Sequence, residues 1–316
     1  MLIEKVVFMG TPRFAVPALE ALAASRFKPL LCITQPDKPK GRNRQVQPPE
    51  VKLKAMDLEI PLLQTEDVND EKVVMKLRQL APHVIITVAY GGYLGKAVRT
   101  LPAFGCLNLH PSLLPRHRGS APINYTLFNG DRMTGNTIFK LTAGMDAGPI
   151  LFQNEVKIED SDNYTILYEK LSRAGAEDIL KVLEKMEQNE VRYTPQNNES
   201  ATFSYKLQRK NFLIDWRKTA REIHNQVRGL AEIPGAVAAF RQQRIKIIET
   251  EVSAAKSKQQ PGTVIEANND VGFTVCTSDF DLHIKRVQPA GKKIMSAYAF
   301  HLGARLQKNE FFQNGF

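Results

Sequence analysis

Short hydrophobic runs alternate with amphipathic stretches along the first part of the chain, and the two patterns predict strands and helices in turn. Residues 3–9 and 30–34 are β-rich runs, and the apolar positions Phe14, Ala18 and Leu22 between them recur at helical spacing. A strand, a helix and a second strand in this order form a parallel pair with a right-handed crossover. The chain therefore opens as an α/β domain.

The same alternation continues to about residue 188. Helical patterning covers residues 48–58, 70–80, 119–130 and 162–188, and strand-like runs cover 60–63, 83–89, 105–109, 137–141 and 151–158. The run 83–89 is almost entirely apolar and β-branched, which is typical of a central strand buried on both faces. We therefore predict a Rossmann-like, mostly parallel sheet domain over residues 1–189.

The remainder of the chain has a different pattern. Residues 190–211 are polar and irregular, which predicts a linker. A helical stretch at 219–230 is followed by five short strand-like runs near 236–240, 245–249, 263–267, 272–276 and 282–286. Short strands separated by turns are typical of a small barrel, so residues 212–316 are predicted to form a smaller OB-like β-barrel domain.

Charge separates the two parts further. The formal net charge is +10, of which residues 1–205 carry +2 and residues 206–316 carry +8. A basic second domain beside a nearly neutral first one indicates a polyanionic partner, although solubility alone is the alternative explanation.

A second concentration of positive charge lies between residues 35 and 49. This segment contains four prolines, so we expect a projecting loop that neither forms a helix nor pairs well in a sheet. Its cations either contact phosphates or form a solvated surface. They are Lys38, Lys40, Arg42 and Arg44.

Composition excludes several classes of protein. The three cysteines form no C-x-x-C pair and the six histidines show no H-x-x-x-H spacing, so we expect neither disulfides nor a metal site. The first strand-to-helix turn, Gly10-Thr11-Pro12, lacks G-x-G-x-x-G, which argues against a dinucleotide cofactor. We find no signal peptide and no apolar run of roughly 18 residues, and therefore expect a cytoplasmic protein without membrane association.

Residues suited to acyl chemistry lie between 105 and 150. Asn108 and His110 are two positions apart, on one face at the end of a predicted strand, and Asp146 lies between two nearby glycines. An amide can stabilise an oxyanion, an imidazole can handle a proton, and a carboxylate can orient that imidazole and raise its pKa. A loop cap, a packed histidine and a turn aspartate are the corresponding structural alternatives. Ser112 lacks a G-x-S-x-G context, which argues against a serine nucleophile.

The motif N-L-H-P-S-L-L-P-x-x-R-G, followed by D-A-G, resembles that of the folate-dependent formyltransferases and is highly specific. The resemblance includes V-V-F-M-G-T-P-R-F-A near the start, Q-P-D-K-P-K-G-R in the basic segment, I-D-W after the linker and Q-P-A-G-K-K-x-M-S near the end. These segments span nearly the whole chain. His117, where relatives often have an aromatic residue, and the glycine-rich stretch Gly91–Gly95 depart from the usual pattern.

The resemblance implies a reaction and its participants. The donor would be 10-formyltetrahydrofolate, a consumed cosubstrate, and the acceptor the amino group of methionine esterified to initiator tRNA. No metal or nucleotide cofactor is expected, and the protein is expected to act as a monomer. Transfer to a small amine, such as glycinamide ribonucleotide or an amino sugar nucleotide, remains an alternative, as does a nonenzymatic RNA-binding protein on the same fold.

The resemblance also implies roles for individual residues. Asn108, His110 and Asp146 match the catalytic positions of the family. A folate-binding segment would consist of Ser112, Leu113, Leu114 and Pro115. Contacts with tRNA are expected from Lys38, Lys40, Arg42, Arg44 and Lys206.

Overall fold

The computed structural model describes residues 2–40, 45–268 and 272–314 and contains two compact units. The first consists of Met1–Pro122, Met133–Lys157 and Tyr168–Ser204, and the second of Ile123–Arg132, Ile158–Leu167 and Tyr205–Phe316. Two short internal segments therefore belong to the second unit. The domain boundaries at residues 189 and 212 stay predictions.

The first unit is built on a seven-stranded sheet. Its strands are β1 (Val6–Gly10), β2 (Leu31–Thr34), β5 (Leu62–Gln64), β6 (Val84–Val88), β7 (Cys106–His110), β9 (Met133–Lys140) and β10 (Ile150–Lys157). Two small pairs are formed by β3 (Lys38–Lys40) with β4 (Gln45–Gln47) and by β8 (Arg118–Gly119) with β11 (Phe203–Ser204). The helices that begin before residue 200 are α1 (Val16–Ala23), α2 (Glu50–Asp57), α3 (Glu71–Leu80), α4 (Lys96–Arg99), α5 (Pro122–Phe128) and α6 (Tyr164–Glu187).

The strand order β10-β9-β7-β6-β1-β2-β5 confirms the Rossmann-like prediction. The pairs from β7 to β5 are parallel, and β9 and β10 are added antiparallel at one edge. Every residue of β1 and β6 is buried, as expected for central strands covered on both faces. The carboxyl ends of the parallel strands consequently meet at one edge of the sheet, where ligands of such folds bind.

The basic segment differs from its prediction. Lys38–Lys40 pairs antiparallel with Gln45–Gln47, so the expectation that this segment would not pair in a sheet is wrong. Pro39 is tolerated because a two-stranded ribbon has free edges, where a missing N–H breaks no ladder. Arg42 and Arg44 lie outside the described residues.

The second unit is an antiparallel sheet that curls on itself. Its helices are α7 (Arg209–Phe212), α8 (Ala220–Leu230) and α9 (Ala297–Ala304). Its strands are β12 (Ala236–Phe240), β13 (Gln243–Val252), β14 (Val264–Asn268), β15 (Gly272–Cys276), β16 (Asp281–Pro289), β17 (Met295–Ser296) and β18 (Phe312–Gln313). The order is β14-β15-β16-β13-β12-β18, and a bridge between Thr263 and Phe311 links the last strand to the opposite edge. The prediction of an OB-like architecture is confirmed, whereas α9 and β18 were not predicted.

Aromatic residues fill the core of the second unit. Phe312 stacks on Phe240 and Phe273 with ring centroids 4.7 Å and 5.4 Å apart, and its centroid is 5.9 Å from that of Trp216. All four rings are buried, and aromatic burial on this scale is a large part of a domain's stability. Phe312 of β18 therefore helps to close the barrel through its side chain as well as through its backbone.

A half-buried histidine makes the stability of the second unit sensitive to acid. Burial, with Arg228 and Arg221 nearby, lowers the pKa of His224 to about 4. In the unfolded chain this imidazole takes up a proton at its ordinary pKa of about 6.5, so stability falls as pH drops from about 6.5 to about 4. We expect His224→Gln to lose less stability over that window than the unchanged protein, measured as urea midpoints from Trp216 fluorescence.

Trp216 is the single tryptophan of the chain and lies in the second unit, so its fluorescence reports on that unit. His83→Gln, in the first unit, is the control and should follow the parent protein. Equal acid sensitivity of His224→Gln and the parent would contradict the assignment of this effect to His224.

Candidate functional site

The predicted polar residues lie at the carboxyl end of β7. Asn108 and His110 alternate with the buried Leu107 and Leu109, which places the two polar side chains on one face of the strand. Thr87, on neighbouring β6, donates its hydroxyl to Asn108 Oδ1 at 2.8 Å. With Oδ1 engaged in this way, both N–H groups of the Asn108 amide stay available for a reacting oxygen.

His110 is held by a backbone carbonyl. Its side chain is buried, and Nε2 lies 3.0 Å from the carbonyl oxygen of His117. A carbonyl can only accept a hydrogen bond, so Nε2 carries the proton of the neutral ring and Nδ1 is the nitrogen that titrates. The backbone thereby fixes which nitrogen is free for proton transfer.

Asp146 lies beside that free nitrogen. Its Oδ2 atom is 3.7 Å from His110 Nδ1 and accepts a hydrogen bond from the backbone N–H of Gly119 at 2.8 Å. The backbone of Asp146 has φ +48°, a left-handed conformation that aspartate and asparagine tolerate better than most residues. The segments that carry His110 and Asp146 thus bring the carboxylate and the imidazole together.

Burial determines the charge of His110. Burial lowers the pKa of the imidazole, and this outweighs the opposing effects of the Asp146 carboxylate and the His117 carbonyl. The expectation that Asp146 raises this pKa is correct for the contribution of Asp146, and burial sets the net direction. At neutral pH, His110 is a neutral ring with a lone pair directed at a carboxylate, and it is ready to accept a proton.

A hydrogen-bonded clamp fixes the loop that carries Asp146. Gln196 Nε2 donates to the carbonyl oxygens of Asp146 and Gly148 at 2.8 Å and 2.7 Å. The guanidinium of the buried Arg118 donates to Gln196 Oε1 and to Asn198 Oδ1. The left-handed backbone at Asp146 is thus held by the side chains of residues 118, 196 and 198.

The predicted folate segment is only partly accessible. Ser112 and Leu114 are buried, and Ser112 Oγ donates to the carbonyl of Arg116 at 2.6 Å. Thr137 Oγ1 donates to the carbonyl of Ser112, which braces the same loop from β9. Leu113 and Pro115 keep part of their surface exposed and are the side chains available to a ligand. Folate contact here stays a prediction.

The structure describes three of the five residues that are predicted to contact tRNA. Lys38 lies in β3 with Nζ 3.4 Å from Gln35 Oε1, and Lys40 ends the same strand. Lys206 is exposed at the start of the third segment of the second unit.

Several residues that shape the site were missed by the sequence reading. Thr87 has no sequence signal beyond its place in an apolar strand. Arg118 and Gly119 are the R-G of the quoted motif, whose role becomes evident only from their contacts with Gln196 and Asp146. Gln196 fell within the predicted linker, where nothing in the pattern separates a structural glutamine from a solvated one.

Comparison with known proteins now identifies the family. Residues 4–183 match the formyl transferase family and residues 206–305 match the formyl transferase C-terminal domain. The chain belongs to the formyl transferase family. This formyl transferase is 43% identical over 303 residues to a protein of Thermodesulfovibrio yellowstonii named methionyl-tRNA formyltransferase, covering 96% of the present chain and 97% of that relative. A protein of the same name from Pelobacter propionicus is 39% identical over 300 residues, covering 95% and 93%.

A solved structure supports the fold of this formyl transferase. The N-formyltransferase of Helicobacter canadensis, in complex with folinic acid and dTDP-3-aminofucose, superposes with a TM-score of 0.66. It is 20% identical and covers 91% of the present chain and 100% of its own. Identity at this level shows a shared fold only.

Two further properties of the described residues concern membranes and metals. None of the helices they form has the length and apolar character required to cross a bilayer. No group of three or more His, Cys, Asp or Glu residues among them is arranged to hold a metal ion.

Proposed function

We propose that this enzyme transfers the formyl group of 10-formyltetrahydrofolate to the amino group of methionyl initiator tRNA. The observation that carries the proposal is similarity over the whole chain to relatives named methionyl-tRNA formyltransferase, including the basic second part. A small acceptor has no need of a domain with net charge +8, whereas a tRNA offers many phosphates to it.

The site geometry supports direct amine attack. The acceptor nitrogen bonds to the formyl carbon, and the carbonyl oxygen becomes an oxyanion that Asn108 stabilises through its Nδ2 hydrogens. Neutral His110 takes the amine proton on Nδ1, and Asp146 stabilises the resulting imidazolium. The bond from the formyl carbon to the folate nitrogen then breaks as His110 returns the proton to that nitrogen, which releases tetrahydrofolate and a formylated amine.

One assay decides between the reactions. Labelled 10-formyltetrahydrofolate is incubated with the enzyme and either charged initiator tRNA, charged elongator methionine tRNA, glycinamide ribonucleotide or an amino sugar nucleotide. We expect label on initiator methionyl-tRNA and little on the others. Transfer to a small amine alone would replace the proposal with the small-acceptor alternative, and no transfer would favour a nonenzymatic RNA-binding protein.

The basic segment offers a test of tRNA binding. We expect Arg42→Ala to raise KM for methionyl-tRNA several-fold and to lower the salt slope of binding by about one, because one phosphate contact is lost. KM for the folate donor should not change. Arg78→Ala, an exposed cation on α3, is the matched control. Unaltered tRNA kinetics in Arg42→Ala would remove that residue from the proposed interface.

We also propose that the enzyme is active as a monomer and that it is located in the cytoplasm. Asn108, His110 and Asp146 all belong to one unit of one chain, so no second copy is needed to complete the group. Activity per enzyme that is independent of protein concentration, with a monomeric mass in solution, is the expected result.

A further inference from the structure

The loop that joins β9 to β10 consists of residues 141–149 and carries Asp146. A backbone hydrogen bond from Lys140 N to the carbonyl of Pro149 closes its base. Residues 142–145, immediately before Asp146, are exposed. Exposed loop backbone is more mobile than the sheet it connects, so the place of the Asp146 carboxylate depends on contacts made from outside the loop.

Gln196 holds this loop with both hydrogens of its side-chain amide. Nε2 donates to the carbonyl oxygens of Asp146 and Gly148 at 2.8 Å and 2.7 Å. Oε1 accepts from Nε and Nη2 of Arg118 at 3.1 Å and 2.7 Å. If the amide turned over, its NH2 group would face the guanidinium and its oxygen would face two carbonyl oxygens. The four bonds therefore allow one orientation of the amide.

The residues around this amide are themselves fixed within the first unit. Thr194, two residues before Gln196, exchanges backbone hydrogen bonds with Ile150, the first residue of β10. The buried side chain of Arg118 also donates to Asn198 Oδ1 at 2.9 Å. The amide of Gln196 is therefore held in place relative to the seven-stranded sheet to which β10 belongs.

Strand β8 reaches Asp146 by two routes. Gly119 N–H donates to Asp146 Oδ2, and Arg118 acts on the main chain of Asp146 through Gln196. The carboxylate lies 3.7 Å from His110 Nδ1, and its attraction for a protonated imidazole falls as that distance grows. A displacement of about 1 Å at a reacting group can cost about 10²-fold in rate. Proton transfer at His110 is therefore sensitive to the support that Gln196 provides.

We propose that Gln196 is a positioning residue for formyl transfer: it fixes the distance between the Asp146 carboxylate and His110 by holding the main chain of Asp146. Arg118 supports the same role by fixing the orientation of the Gln196 amide. The proposal rests on the proposed function, because it takes Asp146 and His110 as the pair that manages the proton. A purely structural role of Gln196 would instead lower the stability of the first unit and leave the catalytic rate of the folded enzyme unchanged.

The test uses two substitutions of Gln196 in the full-length enzyme. Gln196→Met has a similar length and removes all four hydrogen bonds of the amide. Gln196→Glu keeps the shape and still accepts from Arg118, but it turns an oxygen towards two carbonyl oxygens that cannot donate. We expect kcat to fall about tenfold in each, with both KM values within about twofold of the parent, because the carboxylate is displaced rather than lost. Gln188→Met and Gln188→Glu, at an exposed position of the same unit, are the matched controls and should keep the parent kcat.

A double variant shows whether Gln196 acts through Asp146. If it does, adding Gln196→Met to Asp146→Asn should lower kcat by less than about twofold beyond Asp146→Asn alone, since the contact that Gln196 positions is already gone. A full loss of about tenfold on top of that of Asp146→Asn would show that Gln196 acts elsewhere, and would overturn the proposal.

An NMR titration of His110 gives a readout that a merely structural role would not move. The Asp146 carboxylate and the His117 carbonyl raise the pKa of His110, whereas burial and the His117 ring lower it. Displacement of the carboxylate weakens the first of these effects. Gln196→Met should therefore lower the pKa of His110, in the same direction as Asp146→Asn, and Gln188→Met should leave it at the parent value.

The outcomes separate the positioning role from the function. If the parent does not formylate methionyl-tRNA but Gln196→Met lowers the pKa of His110, the proposed function fails and the positioning role stands. If the parent formylates methionyl-tRNA and Gln196→Met keeps both the parent kcat and the parent pKa of His110, the positioning role is wrong. Failure of both Gln196 variants to fold, or lower stability with the parent kcat, would assign Gln196 a structural role and overturn the proposal.

Discussion

Asn108→Ala should lower kcat for formyl transfer by about 10²–10³-fold, because the variant lacks the amide that stabilises the oxyanion. In the parent, Thr87 donates a hydrogen bond to Oδ1 of this amide. The N–H groups of Asn108 are therefore oriented before the substrate binds and need no reorganisation. Binding of methionyl-tRNA should persist, since the amide acts on the transition state rather than on the bound acceptor. Single-turnover rates with saturating substrates measure the effect.

Asn129→Ala provides the matched control for this prediction. Asn129 is exposed and belongs to the second unit, so its removal should leave kcat unchanged. A kcat for Asn108→Ala within a few-fold of the parent would show that another group supplies the oxyanion contact.

Asp146→Asn is expected to lower kcat by about 10²–10⁴-fold, the usual range for proton transfer by a positioned side chain. Asparagine keeps the shape and tolerates the left-handed backbone, and it can still accept from the Gly119 N–H. It removes the charge that stabilises protonated His110, and the amide can donate to Nδ1 and so favour the neutral ring.

The sign of the accompanying pKa change follows from the same contact. The Asp146 carboxylate raises the pKa of His110 against the stronger effect of burial, so its neutralisation should lower that pKa further. An NMR titration of labelled histidine measures the shift directly, with Asp57→Asn as an exposed control. A His110 pKa that is unchanged or higher in Asp146→Asn would contradict the proposed coupling.

The fold could be predicted largely because its signals are local. Apolar runs such as residues 83–89 indicate buried strands. The capping pair Thr219 and Glu222 marks the start of α8, which begins one residue after the predicted start. The hairpin of residues 38–47 was missed because proline content argues against pairing, and nothing in composition shows that a strand lies at a free edge. The short β18 depends on a partner 72 residues away, Phe240 with Phe312, which no local pattern contains.

The site could likewise be predicted where it depends on local patterns and not where it depends on long-range contacts. Asn108 and His110 are separated by one residue of a strand, so their common face follows from the sequence. The proximity of Asp146 was predicted from the motif, but the charge of His110 was not, because burial is a property of the folded chain. Gln196 is 50 residues from Asp146, and its clamp could be found only from coordinates.

The clamp has a consequence for anyone exchanging the two parts of this enzyme with those of a relative. Part of the predicted linker also holds the reactive carboxylate in place. Gln196 bonds to the backbone of Asp146, and Thr202 and Ser204 bond to the backbone of His117. A chimera joined at residue 190 would replace these side chains with those of the relative, whereas a junction after Ser204 would keep them.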